Sequence, residues 1–462
     1  MSNYPIIQLP NYLITLDTLT GKRLLILGLA RQGKALARFA VGVEAQVTIS
    51  DLRPAERLRE SLAELSDLPI RYVLGEHPMR LLDEADIVAI SGGVPADAPL
   101  VQAARERGLP ITNDSQEFIR RSPTAVIGIT GSAGKTTTTA LTGVMAQVSG
   151  RRTWVGGNIG RPLIADLDKM APDDVVVQEL SSFQLEIWQQ SPPIAAVLNI
   201  TPNHLDRHKT MAVYTAAKAN ILRYQSAADT AVLSADDPGA LALRDVSPGR
   251  LRLFSLRDEV TDGAFVRDGR IVLRNGRETV VCAIEDVPLR GRHNLLNVLA
   301  AVTLADSAGI EVEAMQQAIR TFRGVEHRLE RVRTLDGVRY VNDSIATAPE
   351  RALAALAAYD EPIILLAGGK DKDMAWDEWA QQVRQQVKHV VLFGQLADLL
   401  AEKLAGFEQM TQVETMEEAL RVGRDTAVSG DIILLSPGGT SFDAYDNFAQ
   451  RGEIFKELVN QL

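Results

Sequence analysis

The sequence predicts an α/β protein of three successive open-sheet domains, and three observations carry that prediction. Short apolar runs recur along the chain, each passing into a glycine-containing turn and then a helical pattern, the rhythm of strands and crossover helices in parallel sheets. At 462 residues the chain exceeds what one hydrophobic core holds. A strand-like stretch dense in turn signals, residues 228 to 290, interrupts the rhythm before it resumes. The boundaries drawn are 1–115, 116–323 and 324–462.

Composition narrows the function. Charged residues make up 23% and hydrophobic ones 46%, ordinary for a soluble globular protein. A net charge of −10 argues against a general nucleic-acid binder, whose footprint would be basic. Cys282 is the only cysteine, so there is no internal disulfide and no thiolate zinc cage. No uninterrupted apolar stretch could span a bilayer and no basic leader precedes an apolar run. The expectation is a cytoplasmic protein without nucleic-acid or membrane partners.

In the first domain, Lys22 to Leu27 reads as a buried strand entering Gly28-Leu29-Ala30-Arg-Gln-Gly33, a degraded dinucleotide fingerprint. Val47 to Asp51 is a second strand ending in an acid, at the spacing where such folds contact a nucleotide sugar; Leu52 and Arg53 follow. Ile87 to Ile90 delivers Ser91-Gly-Gly at a third strand end. Such glycine turns also occur for packing alone. The residues point to a nucleotide distinct from the one expected in the central domain.

That domain opens with the most informative stretch in the chain. The strand Ala125–Ile129 leads through Thr130-Gly131-Ser132-Ala133-Gly134 into a helix beginning Lys135-Thr136-Thr137. Glycines let backbone N–H groups crowd an anion, and the helix N-terminus adds positive dipole. Lys135 reaches the terminal phosphates, and the Thr136 hydroxyl can ligate Mg²⁺. Ile129 stands where the full phosphate-loop pattern has glycine. The stretch predicts a nucleoside-triphosphate site. Asp174 to Glu179 is an apolar strand delivering a glutamate near that metal position. The next strand, Ile194–Ile200, runs to Asn203-His204-Leu-Asp206. Lys218, in a helix beside small residues, reads by type as a surface lysine. Asn294 and Asn297 lie at the start of a helix, suited to capping it or to holding a base and ribose.

In the last domain polar residues again collect after strand ends: Asn342-Asp343-Ser344, Gly368-Gly-Lys-Asp-Lys372, and Ser436 to Ser441. This predicts a second Rossmann-like sheet with its loops facing a ligand.

Taken in this order, the motifs are similar to those of the Mur ligases, the ATP-dependent amino-acid-adding enzymes of peptidoglycan precursor synthesis. The resemblance covers nearly the whole chain and rests on Thr130 to Thr136, Glu179-Leu-Ser-Ser, Asn203 to Asp206, Tyr214 with Lys218, Gly291 to Asn294 with Asn297, His327-Arg328, and Asn342 to Ser344. The shortened phosphate motif is usual in that family. Within it the chain most resembles the branch that joins D-glutamate to UDP-N-acetylmuramoyl-L-alanine. The resemblance implies a Rossmann-like nucleotide-sugar domain, a phosphate-loop ATPase domain and a Rossmann-like amino-acid domain in a monomer. It implies ATP on Gly131, Ser132, Ala133, Gly134, Lys135, Thr136, Thr137, Asn294, Asn297, Arg328 and Asp343. Two Mg²⁺ ions would be held by Thr136, Glu179, His204 and Lys218, with Lys218 as an N-carbamate because a bare ammonium would repel the cation. The UDP-sugar would meet Gly28, Leu29, Ala30, Asp51, Leu52, Arg53, Ser91, Asn158 and His204. Thr347 and Lys372 would take the α-carboxylate of the amino acid, and Ser441 and Phe448 its side-chain carboxylate. Lys135, His204, Lys218 and Arg328 would carry the chemistry.

Two departures fall in the amino-acid site: Ile345 stands where the family usually has lysine, and Gly438-Gly-Thr440 replaces a more usual Ala-Cys-Ala type of segment. They keep L-glutamate open as the substrate. A phosphate-loop ATPase or switch with partner-binding outer domains would need no amino-acid site at all. Folylpolyglutamate synthase lacks the N-terminal domain. Hinges are expected near 113–116 and 322–326, because water must be excluded from an acyl phosphate.

Overall fold

The computed structural model describes residues 6–9, 12–15, 17–289, 291–371 and 374–462. The chain forms two compact units, Met1–Val287 with Arg292–Thr321, and Pro288–Gly291 with Phe322–Leu462.

Among the described residues the first unit holds three sheets. β1 (Ile6–Leu9) and β2 (Tyr12–Thr15) make an antiparallel hairpin. β3 (Arg23–Leu27), β4 (Gln46–Asp51), β5 (Arg71–Leu74), β6 (Ile87–Ile90) and β7 (Ile111–Thr112) form a wholly parallel sheet in the order β5-β4-β3-β6-β7. The chain leaves β3 toward one edge and returns at β6 on its other side. The carboxyl ends of β3 and β6 therefore border the crevice where such sheets take ligands. A third sheet has nine strands: β8 (Val126–Thr130), β9 (Thr153–Gly157), β10 (Val175–Glu179), β11 (Ile194–Val197), β12 (Thr230–Ser234), β13 (Arg250–Ser255), β14 (Gly263–Arg267), β15 (Arg270–Asn275) and β16 (Arg277–Ala283). Its order is β16-β15-β14-β13-β12-β11-β8-β10-β9. It is parallel from β9 to β14 and antiparallel beyond. β8, β10 and β11 are apolar runs buried on both faces, as strands covered by helices on each side must be.

One hydrophobic cluster runs through the parallel sheet and the central sheet alike, joining Leu24, Leu29 and Phe118 to Leu163, Trp188 and Val197. The segment expected to hinge at 113–116 corrects the sequence reading. Asn113, Asp114, Ser115 and Gln116 are all buried. Asn113 caps the helix Asp114–Arg121 through Gln116 N–H. Its Nδ2 donates to Gln184 O (2.9 Å), its Oδ1 accepts from Trp188 Nε1 (3.2 Å), and Gln116 Oε1 accepts from Gln189 N–H (2.7 Å). A buried polar network has no alternative partners to turn to, so it locks the passage.

The second unit is a six-stranded sheet of β17 (Glu330–Leu335), β18 (Val338–Asn342), β19 (Ile363–Gly368), β20 (Val387–Phe393), β21 (Met410–Gln412) and β22 (Ile432–Gly438). The order is β17-β18-β22-β19-β20-β21, antiparallel only at β17. Apolar clusters cover both faces, one centred on Trp376 and Trp379, the other on Tyr340 and Phe455. Among the described residues no helix is long and apolar enough to cross a membrane.

Candidate active site

The phosphate loop is built between β8 and the helix Lys135–Val148. Gly134 caps that helix with φ +82°, a backbone that side-chain-bearing residues rarely adopt. A Cβ there would stand 2.2 Å from Asn297 Oδ1. Asn199, just beyond β11, braces the loop from the side: its Oδ1 accepts from Ala133 N–H (2.8 Å) and its Nδ2 donates to Ala133 O (3.1 Å). Ser132 Oγ meets Tyr214 O–H at 2.9 Å. Lys135 Nζ donates to Gly131 O (2.9 Å), folded back along the loop it serves. Thr136 and Thr137 follow half-buried in the first turn. Asn297 sits one turn into the helix Arg292–Ser307, within 3.4 Å of Thr138 Oγ1, and donates to Asn294 Oδ1 (3.2 Å). Asn294 and Asn297 thus stand beside the phosphate loop.

Glu179 ends β10, in register with Ile129 of β8 and Gly157 of β9. It is buried, and only one of its carboxylate oxygens is satisfied: Oε1 accepts from Asn158 Nδ2 (2.9 Å), while Oε2 has no hydrogen-bond partner. A buried carboxylate oxygen without a donor is expensive. That orphan is the observation that fits a cation at this strand end, with the Thr136 hydroxyl one residue beyond Lys135. Lys218 is not a surface lysine. It lies 1% exposed in the helix Met211–Arg223, its Nζ donating to Gly131 O (2.9 Å) and approaching Thr130 Oγ1 (3.3 Å), with the Tyr214 ring 4.8 Å away. Burial first, then repulsion from Lys135, hold its amine well below the usual lysine range, against the opposite pull of Glu179.

His204 caps a one-turn helix, Leu205–His208, at φ +54° and is exposed, with the Phe183 ring centroid 5.0 Å from its own. That turn is anchored from below. His208 is buried, stacks on Phe183 and places Nε2 2.9 Å from Ser182 Oγ. Arg207 donates to Gly92 O (3.0 Å) and Val94 O (2.8 Å), in the loop that Ser91 begins.

The expected nucleotide-sugar residues gather at the ends of β3, β4 and β6. Gly28 (φ +94°) packs against Ser91, whose Oγ donates to Gly28 O (2.9 Å). Leu29 is buried, so only its backbone faces the turn; its N–H donates to Asp51 Oδ2 (2.7 Å). Ala30 is the exposed cap of the helix Arg31–Gly42. Arg53 forks onto both Asp51 oxygens at 2.8 and 2.9 Å. Burial by itself would raise the Asp51 pKa, but Arg53 and the Leu29 and Arg53 N–H groups hold it down at about 2. Asp51 is therefore occupied in fixing the turn, and Leu52 beside it is an exposed apolar side chain. Arg31 donates to Gly160 O and to Asn158 O (3.1 Å), tying this group to the loop after β9.

In the second unit, Arg328 is flanked by two non-glycine residues in the left-handed region, His327 (φ +61°) and Leu329 (φ +45°). Asp343 is buried, with Oδ1 accepting from Leu329 N–H (3.2 Å) and Oδ2 from Ser436 Oγ (2.9 Å), and burial pushes its pKa up to about 7. Asp343 thus braces the Arg328 loop. The loops carrying Thr347, Ser441 and Phe448 converge: Ser344 Oγ donates to Phe448 O (2.7 Å), and Gly438 N–H to Ala346 O (2.8 Å). Lys372 lies outside the described residues.

Three family models match in order: the Mur ligase MurD-like N-terminal domain over residues 22–113, the Mur ligase middle domain over 129–305, and the Mur ligase glutamate ligase domain over 327–439. The chain belongs to the Mur ligase family. It is 42% identical over 453 residues to the UDP-N-acetylmuramoylalanine–D-glutamate ligase of Pelotomaculum thermopropionicum, covering 97% of this chain and 99% of that one. The enzyme of the same description from Symbiobacterium thermophilum is 43% identical over 447 residues, covering 96% and 98%. Among solved structures, MurF of Acinetobacter baumannii aligns with TM-score 0.57 at 17% identity over 98% of this chain and 95% of that one. UDP-N-acetylmuramate-alanine ligase MurC of Thermotoga maritima aligns at 0.56 and 20% over 95% and 99%. These two likenesses show the fold.

Sequence reasoning passed over several residues that shape this Mur ligase's site. Asn199 had no motif to mark it, only its place after a buried strand. Arg451 is fully buried and its guanidinium donates to Ser344 O (2.9 Å), Ser344 Oγ (3.0 Å) and Gly439 O (3.2 Å), pinning two of the converging loops; no sequence signal distinguished it from a surface helix arginine. The departure at Gly438–Gly439 has a packing reason: a Cβ at Gly438 would touch the Trp376 ring at 3.0 Å, and one at Gly439 would meet Gly368 O at 2.6 Å.

Proposed function

We propose that this Mur ligase joins D-glutamate to UDP-N-acetylmuramoyl-L-alanine with hydrolysis of ATP to ADP and phosphate, a cytoplasmic step in building peptidoglycan precursors. The observation that carries the reading is near full-length identity above 40% to ligases of that description. The phosphate loop, the orphaned Glu179 oxygen and the buried Lys218 amine support it from the chemistry of the residues.

Lys135 exchanges its bond to Gly131 O for the β- and γ-phosphates, and the loop N–H groups from Gly131 to Thr137 cradle them. Glu179 and Thr136 would hold one Mg²⁺, and His204 with Lys218 would hold a second. Bound there, Mg²⁺ would neutralise charge on the phosphates and the attacking carboxylate. Lys218 fits that role only as a carbamate. Its neutral amine attacks CO₂, a C–N bond forms, one proton leaves, and an anion replaces a would-be cation. Asn158 orients Glu179. Asn294 and Asn297 hold the nucleoside, and Arg328 answers the γ-phosphate charge. Asp343, on this reading, acts on the nucleotide through the Arg328 loop that it braces. Gly28 to Ala30, Asp51 to Arg53 and Ser91 hold the UDP group. Thr347, Lys372, Ser441 and Phe448 hold the amino acid. The alanyl carboxylate attacks the γ-phosphorus, giving an acyl phosphate and ADP. The glutamate amine then attacks the acyl carbon, and phosphate leaves.

The test is phosphate release from ATP with Mg²⁺ and UDP-N-acetylmuramoyl-L-alanine, comparing D-glutamate, L-glutamate and no amino acid. Release that needs both the nucleotide sugar and D-glutamate is the expected result. Turnover with L-glutamate alone overturns the stereochemistry and keeps the ligase. Release regardless of either substrate overturns the ligase and leaves an ATPase.

A further inference from the structure

Arg207 has no part in the reading above, yet it joins two segments which that reading treats separately. One is the loop leaving β6, Ser91-Gly-Gly-Val94. Gly92 and Gly93 bring no side chain to fix its path, so the loop depends on partners from elsewhere in the chain. Gly92 N–H donates to Gln32 Oε1 (3.0 Å), and Val94 N–H donates back to Ser91 O (2.9 Å). A further anchor comes from more than a hundred residues away. Arg207 spreads its guanidinium over two carbonyls of the loop, Nη1 donating to Gly92 O (3.0 Å) and Nη2 to Val94 O (2.8 Å). A rigid fork suits two acceptors at a fixed spacing, which a point-like ammonium does not.

The other segment is the turn that presents His204. Leu205–His208 is one helical turn, too short to sustain itself. It lies between two non-glycine residues in the left-handed region, His204 (φ +54°) and Lys209 (φ +65°). Backbone of that kind persists only where its surroundings over-determine it. Here the N–H groups of Arg207 and His208 both donate to His204 O (3.2 and 2.9 Å). The Arg207 guanidinium lies 4.0 Å from the Phe183 ring centroid, and the same ring faces the His204 and His208 imidazoles at 5.0 and 5.2 Å. Glu186 stands 3.5 Å from Arg207 Nη2 and 3.7 Å from His208 Nδ1. Phe183 and Glu186 belong to the short helical segment that follows Glu179 at the end of β10. A single side chain, 18% exposed, therefore grips the Ser91 loop while its own backbone and its stacking on Phe183 hold the His204 turn.

We propose that Arg207 is a positioning residue that makes the Ser91 loop and the His204 turn one piece, so that binding of the nucleotide sugar and binding of Mg²⁺ favour each other. The proposal rests on the ligase reading, which gives Ser91 to the nucleotide sugar and His204 to the cation. It deepens that reading by linking the two sites energetically, and linkage of this kind is reciprocal.

The experiment titrates UDP-N-acetylmuramoyl-L-alanine into the protein by calorimetry without ATP, once with Mg²⁺ and once with EDTA. Wild type, Arg207→Ala, Arg207→Lys and His204→Ala are compared. In the wild type Mg²⁺ is expected to tighten binding about fivefold or more. Arg207→Ala is expected to weaken binding in EDTA roughly tenfold and to bring the ratio of the two dissociation constants close to one. Arg207→Lys, which reaches one carbonyl instead of two, keeps part of the ratio. His204→Ala loses the ratio, because the effect of the cation passes through that turn. A wild-type ratio of one overturns the proposal. So does a ratio that survives Arg207→Ala with only the melting temperature lowered, the signature of an arginine that merely stabilises the fold. If Arg207→Ala does not fold, a full wild-type ratio in Arg207→Lys or in His204→Ala overturns it instead. Each of these outcomes leaves the ligase reading standing. A wild-type protein that binds no nucleotide sugar, with or without Mg²⁺, overturns the ligase reading and the proposal together.

Discussion

Replacing Gly134 by alanine tests the phosphate loop against an internal control. Gly134 and Gly150 share the same backbone, φ +82°, at the two ends of the helix Lys135–Val148. Alanine in the left-handed region costs about 1–2 kcal/mol at either place. The surroundings differ. A Cβ at Gly150 meets nothing within 4 Å, whereas one at Gly134 would lie 2.2 Å from Asn297 Oδ1. Asn297 must then turn away and give up its contacts to Thr138 (3.4 Å) and Asn294 (3.2 Å), at about 0.5–1.5 kcal/mol each. Gly134→Ala should therefore be less stable than Gly150→Ala by about 1–3 kcal/mol. Because the proposed function sets Asn297 against the nucleoside, the KM for ATP should rise roughly tenfold or more in Gly134→Ala alone. Thermal melts followed by tryptophan fluorescence, with initial rates against ATP, measure both. Two variants with matching melting temperatures and matching KM values would refute the idea that Asn297 and the glycine are sterically coupled.

Glu179→Gln keeps a partner for Asn158 but removes the charge from the orphaned oxygen, so half-saturation by Mg²⁺ should rise roughly tenfold or more with the melting temperature unchanged. Titrating the rate with Mg²⁺ reads this directly. Stripping CO₂ from the buffer should lower activity and bicarbonate should restore it, and in Lys218→Ala the bicarbonate response should vanish; an activity indifferent to CO₂ would remove the carbamate from the mechanism. The Asp343 carboxyl, raised to about 7 by burial, keeps its proton in the folded protein where an unfolded chain would already have lost it. Stability from this group is then present below the ordinary carboxylate range and is lost as pH rises toward 7. Asp343→Asn should flatten that slope in melts taken from about pH 4 to 7. Asp51, held at about 2, runs the other way: its contribution is present at neutral pH and fades as pH falls from about 4 toward 2, so Asp51→Asn should cost stability at pH 7 and little at pH 2.

Much of the architecture could be read in advance, for a physical reason. Buried parallel strands are apolar runs, and their carboxyl ends must carry the polar residues that face a ligand. Ile26 before Gly28, Ile129 before Gly131 and Leu435 before Ser436 all announced themselves in that way. Lys218 was legible only through family likeness, because a lysine's burial depends on what packs over it, and here that is Tyr214 and the phosphate loop from distant parts of the chain. Asp343 and Asn158 were read as ligands, and their side chains also hold Leu329 and Glu179. A polar residue at a strand end has the same appearance whether it grips a substrate or a neighbouring loop. Arg451 sits in an amphipathic helix, where nothing in the local pattern separates an arginine turned inward from one in solvent.

The buried hydrogen bonds around Asn113 have a consequence for how such a gene can be recombined. The passage at 113–116 has the sequence of a linker, and a designer exchanging the first sheet with that of a relative would cut there. Doing so would part Asn113 and Gln116 from Gln184 O, Trp188 Nε1 and Gln189 N–H, each a desolvated group costing about 1–3 kcal/mol if left alone. A chimera is better judged by whether these five residues share a parent. The first sheet is inherited with the helical turn after Glu179, and sequence distance between the two segments conceals that they are one piece.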